Sequence, residues 1–151
     1  MYAAAEASMV KQKFWTTFGK YMLPVPSAGL EKVNWVNYKT GIKGISFKME
    51  AEKDSAVVMV EIFLKDTMLQ HQYFEIFDNF VQHVKDRAGE SWQFCKNEVF
   101  EKGIVSLIKV ELRNVNIFRE EQWPMIISFL KQHIIELDAF WAAYKPAFEI
   151  I

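Results

Sequence analysis

Three histidines, His71, His83 and His133, and one cysteine, Cys95, are the residues that could ligate a soft metal or serve as nucleophile and base. A structural zinc site needs four such ligands, and a catalytic one three with an open position, at short spacings. His71 and His83 lie twelve residues apart in one helical pattern, about 18 Å along a helix axis, too far to share an ion. Each histidine therefore reads as a boundary residue of an amphipathic helix. Cys95 falls inside a β-rich run with no neighbouring His or helix N-terminus in sequence to lower its thiol pKa, so it reads as a small core residue. None of the serines stands in a G-x-S-x-G elbow, and the six glycines form no phosphate-cradling loop. Glu50, Glu61 and Glu111 could converge across neighbouring strands to hold magnesium, but separate strand charges balanced by Lys48 and Lys109 account for them more simply. No metal or cofactor is expected, and catalysis ranks last among the functional readings.

The segment Asn34 to Gly44 interleaves aromatics with amides and lysines, the pattern on which single-stranded nucleic acid stacks. Trp35 and Tyr38 would be the platforms and Lys39, Lys43 and Lys48 the phosphate partners, with Arg113 and Asn116 as helpers. The competing reading packs Trp35 in the core and leaves the lysines to solubilise a turn. A net charge of −1, from 18 Lys and Arg against 19 Asp and Glu, weighs against a global attraction to nucleic acid or anionic membranes.

These residues must be positioned by elements legible in the hydropathy pattern. Apolar residues at Val10, Phe14, Phe18 and Tyr21 predict a helix over Ala3 to Met22, ended by Pro24 and Pro26. Lys32 to Lys39 is rich in β-formers and reads as a first strand, joined by a turn at Thr40 to Gly44 to a second. In that second strand Ile45, Phe47, Met49 and Ala51 alternate with polar residues, whereas Ala56 to Leu64 is apolar on both faces, as in a central strand. Asp66 or Thr67 can cap a helix running to Arg87, with Gly89 just past its end. Ser91 to Val99 and Ile104 to Arg113 form a hairpin, and a long helix runs from Glu120 with Pro124 in its first turn and Pro146 ending or kinking it. The expectation is one α+β domain over residues 1–151, with a mainly antiparallel five-stranded sheet, helices packed on it, and the order α-β-β-β-α-β-β-α.

Period-two alternation has a functional corollary. If Ala56, Val58, Val60, Ile62 and Leu64 face the helices, then Val57, Met59, Glu61 and Phe63 face away, joined by Val105 and Leu107. An apolar patch of this kind marks a partner surface, so a homodimer, or a complex with another protein, through the sheet is the leading reading. Coverage of that face by a terminal helix is the alternative. A third reading places a small-molecule pocket beneath the last helix, walled by Trp123, Phe129, Trp141 and Tyr144. With 51% hydrophobic and 15% aromatic residues the core is large enough to need no staple. One cysteine, no signal-peptide pattern and no apolar run of membrane-spanning length predict a cytoplasmic protein without a membrane partner.

Two stretches carry a resemblance. Phe14-Trp15-Thr16-Thr17-Phe18 precedes Val33-Asn34-Trp35-Val36-Asn37-Tyr38-Lys39-Thr40-Gly41, and Val115-Asn116-Ile117-Phe118 precedes Trp123-Pro124 and Phe129-Leu130-Lys131. Together they resemble an uncharacterised bacterial domain-of-unknown-function family, over about Lys11 to Phe148. In that family some members carry the domain behind a predicted restriction-endonuclease-like nuclease domain. The resemblance implies an accessory role near nucleic-acid metabolism or defence, and it carries over no catalytic residue.

Overall fold

The computed structural model describes residues 3–80 and 92–151. Helix α1 (Ala4–Met22) buries Phe14, Phe18 and Met22, one per turn on a single face. Strands β1 (Ile45–Ala51) and β2 (Ser55–Ile62) pair antiparallel with Ile45 opposite Ile62 and Ala51 opposite Ala56. Helix α2 (Thr67–Ile76) starts at Asp66, whose side chain accepts a hydrogen bond from the Leu69 amide. Strands β3 (Gln93–Phe100) and β4 (Gly103–Arg113) form the second hairpin, with a register shift between Cys95 and Glu98. After a 3₁₀ turn at Glu120–Gln122, helix α3 (Trp123–Glu149) closes the fold.

Among the described residues the sheet has four strands in the order β1-β2-β4-β3, all antiparallel. This corrects the expected five strands and the expected order, which becomes α-β-β-α-β-β-α. The segment read as a first strand, Lys32 to Lys39, is irregular. Its polar groups are engaged locally: the side-chain Oδ1 of Asn34 accepts from the amides of Val36 and Asn37, a side-chain turn that competes with a strand ladder. Its aromatic residues anchor it from the side, Trp35 to the Val25 carbonyl and Tyr38 to Asp138.

A second difference lies in the middle helix. α2 ends at Ile76, Phe77 interrupts it, and residues 78–80 are helical again. The Phe77 amide bonds to Phe74 and the Phe80 amide to Phe77, three residues back, so the turn tightens there while Phe77 packs against Phe140, Trp141 and Phe148. The remainder of the expected helix, with His83, Val84, Arg87 and Gly89, and Ser91 at the expected start of β3, lies outside the described residues. Pro146 does not end α3, which continues to Glu149.

All the described helices contribute to one core cluster with the inward set of the sheet, including Phe47, Val58, Val60, Ile108 and Val110. The described residues form a two-layer α+β arrangement in which the described helices pack on one sheet face. Among the described residues no helix is long and apolar enough to cross a membrane.

Candidate interaction face and polar cleft

The face turned from the helices is set by β2 and β4, whose register puts Val57 opposite Glu111, Met59 opposite Lys109 and Glu61 opposite Leu107. β1 extends each row, with Glu50 beside Val57, Lys48 beside Met59 and Ser46 beside Glu61. Val57, Met59 and Phe63 are half-buried, whereas Val105 is 0% and Leu107 8% exposed although both stand outside the main core cluster. The exposed apolar stripe is therefore narrower than alternation alone suggests, since Val105 and Leu107 are buried. Lys102 sits above the Phe63 ring and bonds to Glu61, which also takes Lys48 at 2.9 Å. Burial alone would raise the Glu61 pKa, but the hydrogen bonds and charges of Lys102 and Lys48 outweigh it and hold the carboxyl below its ordinary value. A Cβ at Gly103 would come within 3.1 Å of the Phe63 ring, so the glycine gives that ring its place.

The residues considered for nucleic acid are dispersed. Trp35 is 4% exposed, with its indole N–H committed to Val25, and Tyr38 stacks on Phe47. Lys39 and Lys43 are exposed beside the turn before β1, Lys48 is engaged by Glu61 on the outer face, and Arg113 donates to Glu111 at the far end of the sheet. Asn116 is used in a turn, its side chain accepting from the Phe118 amide.

Two polar groups on α3 were not anticipated. His133 is fully buried, not a boundary residue, and its Nδ1 lies 2.5 Å from Glu136. Asp138 is 3% exposed and accepts from the Ser27 hydroxyl at 2.9 Å, the Ala28 amide at 2.7 Å and the Tyr38 hydroxyl at 2.6 Å. Burial first, and then the bond to and charge of Asp138, push the Tyr38 phenol well above its ordinary value. The sequence signal for Asp138 was its position four residues after Ile134 and three before Trp141, on the buried stripe.

Asp138 forms the floor of a cleft of about 280 Å³ between the 27–40 loop and the last turns of α3. Lys39, Glu31, Lys145 and Glu149 stand around it. Of the four aromatics proposed as pocket walls, Trp141 borders this cleft, and its indole N–H donates to the Thr40 carbonyl at 2.9 Å. Trp123 borders a separate groove and donates to the Ile117 carbonyl.

No curated protein and no solved structure matches the chain. Residues 10–145, nearly the whole domain just described, match the family DUF4268, a domain of unknown function, and the chain belongs to that family.

Proposed function

We propose that this chain is a non-catalytic interaction module that pairs with a second copy of itself through the outer face of the sheet. The observation that carries this reading is the charge order on that face. One row reads Glu50, Val57, Glu111, and the next reads Lys48, Met59, Lys109. A two-fold axis lying in the face, perpendicular to the strands and between these rows, sets each row against the other row of the second copy. Val57 then meets Met59, Glu50 meets Lys48 and Glu111 meets Lys109, with aligned sheet packing. Four strands about 4.8 Å apart and about eight residues long give a footprint of roughly 20 by 27 Å. That is the smaller class of specific interface, so a reversible, concentration-dependent dimer is expected.

The test is sedimentation velocity over a concentration series, with and without a mixed DNA and RNA oligonucleotide pool at low salt. The expected result is a dimer that ignores the pool, weakens in Lys109→Glu and in Glu111→Lys, and recovers in the double variant, whose rows are complementary again. A monomer at every concentration would overturn the reading. So would a complex with the pool that dissolves in salt, and loss of that complex in Lys39→Ala with Lys43→Ala would make the turn before β1 the site. A module of this kind, held in the cytoplasm, fits an accessory role beside a nuclease or defence system of the sort the family resemblance suggests.

A further inference from the structure

We propose that the Asp138 cleft binds a small zwitterion of the amino-acid class, with Lys145 taking its carboxylate. The walls are preformed, because Asp138 ties the loop at Ser27, Ala28 and Tyr38 while Trp141 ties it at Thr40. A ligand entering such a site does not have to order the loop. Lys145 is half-buried and reaches from α3 to the Gly41 turn, where its Nζ lies 2.8 Å from the position a Cβ would occupy. Gly41, at φ +79°, leaves that space open. Among the described residues no carboxylate stands within salt-bridge distance of the Lys145 ammonium, and no acceptor engages its three donors. An ammonium at the edge of a cleft, with no protein acceptor among the described residues, is available to an anionic group. Asp138 does not supply it, being occupied by three donors of its own.

The rest of the lining selects against a simple anion. Two lysines, Lys39 and Lys145, face three carboxylates, Glu31, Asp138 and Glu149, so a dianion such as phosphate meets net repulsion. An ammonium on the same ligand would instead find Glu31 and Glu149, together with the Ala142 carbonyl. Ala142 borders the cleft, and its carbonyl lacks the usual helical donor four residues on because Pro146 has no N–H. About 280 Å³ lies just below the usual range of ligand pockets and suits a molecule of amino-acid size.

Proton–nitrogen correlation NMR of the full chain tests this, following the Trp141 indole and the Gly41 amide at constant ionic strength. The probes are the twenty common L-amino acids singly, acetate, methylammonium and inorganic phosphate. The expected result is saturable shifts for at least one amino acid, at least tenfold tighter than for acetate or methylammonium, abolished in Lys145→Met and kept in Lys131→Met. Lys145→Arg, which keeps the charge, guards against a folding defect in the Met variant and is expected to retain binding. No saturable shift with any amino acid, equal or tighter binding of acetate or phosphate, or undiminished binding by a folded Lys145→Met would each overturn the proposal.

Discussion

At Asp138 a carboxylate buried in the α3 interface is held by two hydroxyls and an amide, with no cation at salt-bridge distance among the described residues. Such an anion depends on its donors, and the donors depend on it, because a buried polar group without a partner loses its full hydration. Asp138→Ala orphans the Ala28 amide and frees the loop, so urea unfolding should show a loss of about 3 kcal/mol. Tyr38 couples the same cluster to pH. Its phenol is raised above the ordinary value, so its contribution to stability is complete below about pH 10 and disappears as pH rises beyond that. Thermal melts of Tyr38→Phe should fall less steeply than wild type above about pH 10, and parallel slopes would refute this coupling. Glu61 has the opposite sign. Its pKa is depressed by Lys102 and Lys48, so the stability it contributes is present above the ordinary glutamate value of about 4.3 and lost as pH falls through the lower folded value. Glu61→Gln should flatten the acid limb of the stability profile, read by denaturant midpoints between about pH 3 and pH 6.

At the scale of elements, the start of β1 is pinned by one glycine. Gly44 has φ +91°, its carbonyl accepts from the Phe63 amide, and a Cβ there would lie 2.4 Å from Leu64 and 3.1 Å from the Phe63 carbonyl. Gly44→Ala must adopt a left-handed backbone conformation and displace Leu64, for a cost of about 2 kcal/mol. The expected local result is faster hydrogen exchange at Ile45 and Phe63, and unchanged exchange there would show that the turn adapts. The Asn34 segment makes the complementary point. Its composition suits a strand, yet its side chains bond to its own backbone and to the loop at Val25, which removes it from the sheet. β3 is an outer strand of the sheet, and a left-handed Asn97 beside its register shift breaks the flat edge that another strand would need. That weighs against the β3 edge as the surface of the proposed self-association.

For the whole molecule, the one-sided placement of the helices leaves a sheet face on which charges of both signs stand in ordered rows. The proposed self-association through that face would make apparent stability depend on protein concentration, because only the folded chain would pair. The melting temperature should rise by a few degrees from about 1 to about 100 μM, and Met59→Lys should abolish the rise while leaving the dilute melting temperature nearly unchanged. A melting temperature independent of concentration in the wild type would count against the pairing.

Local periodicity determined much of this architecture: the helix face of Phe14 and Phe18, the alternation of Ile45 to Ala51, the Asp66 cap and the β3–β4 turn all follow from side-chain spacing within one element, although that face ends on Met22 and not on the expected Tyr21, which is exposed. It also placed Val57, Met59, Val105 and Leu107 on one sheet face, since the period of two leaves no other choice once the inward set is known. Only tertiary structure decided that Lys32 to Lys39 leaves the sheet, that Trp35 is core, and that Tyr38 meets a residue one hundred positions later to build a cleft. Those outcomes rest on contacts between distant segments, where Asp138 satisfies a loop that no local pattern connects to it. Composition and spacing report what an element buries, whereas a site assembled across elements exists only once packing has brought its parts together.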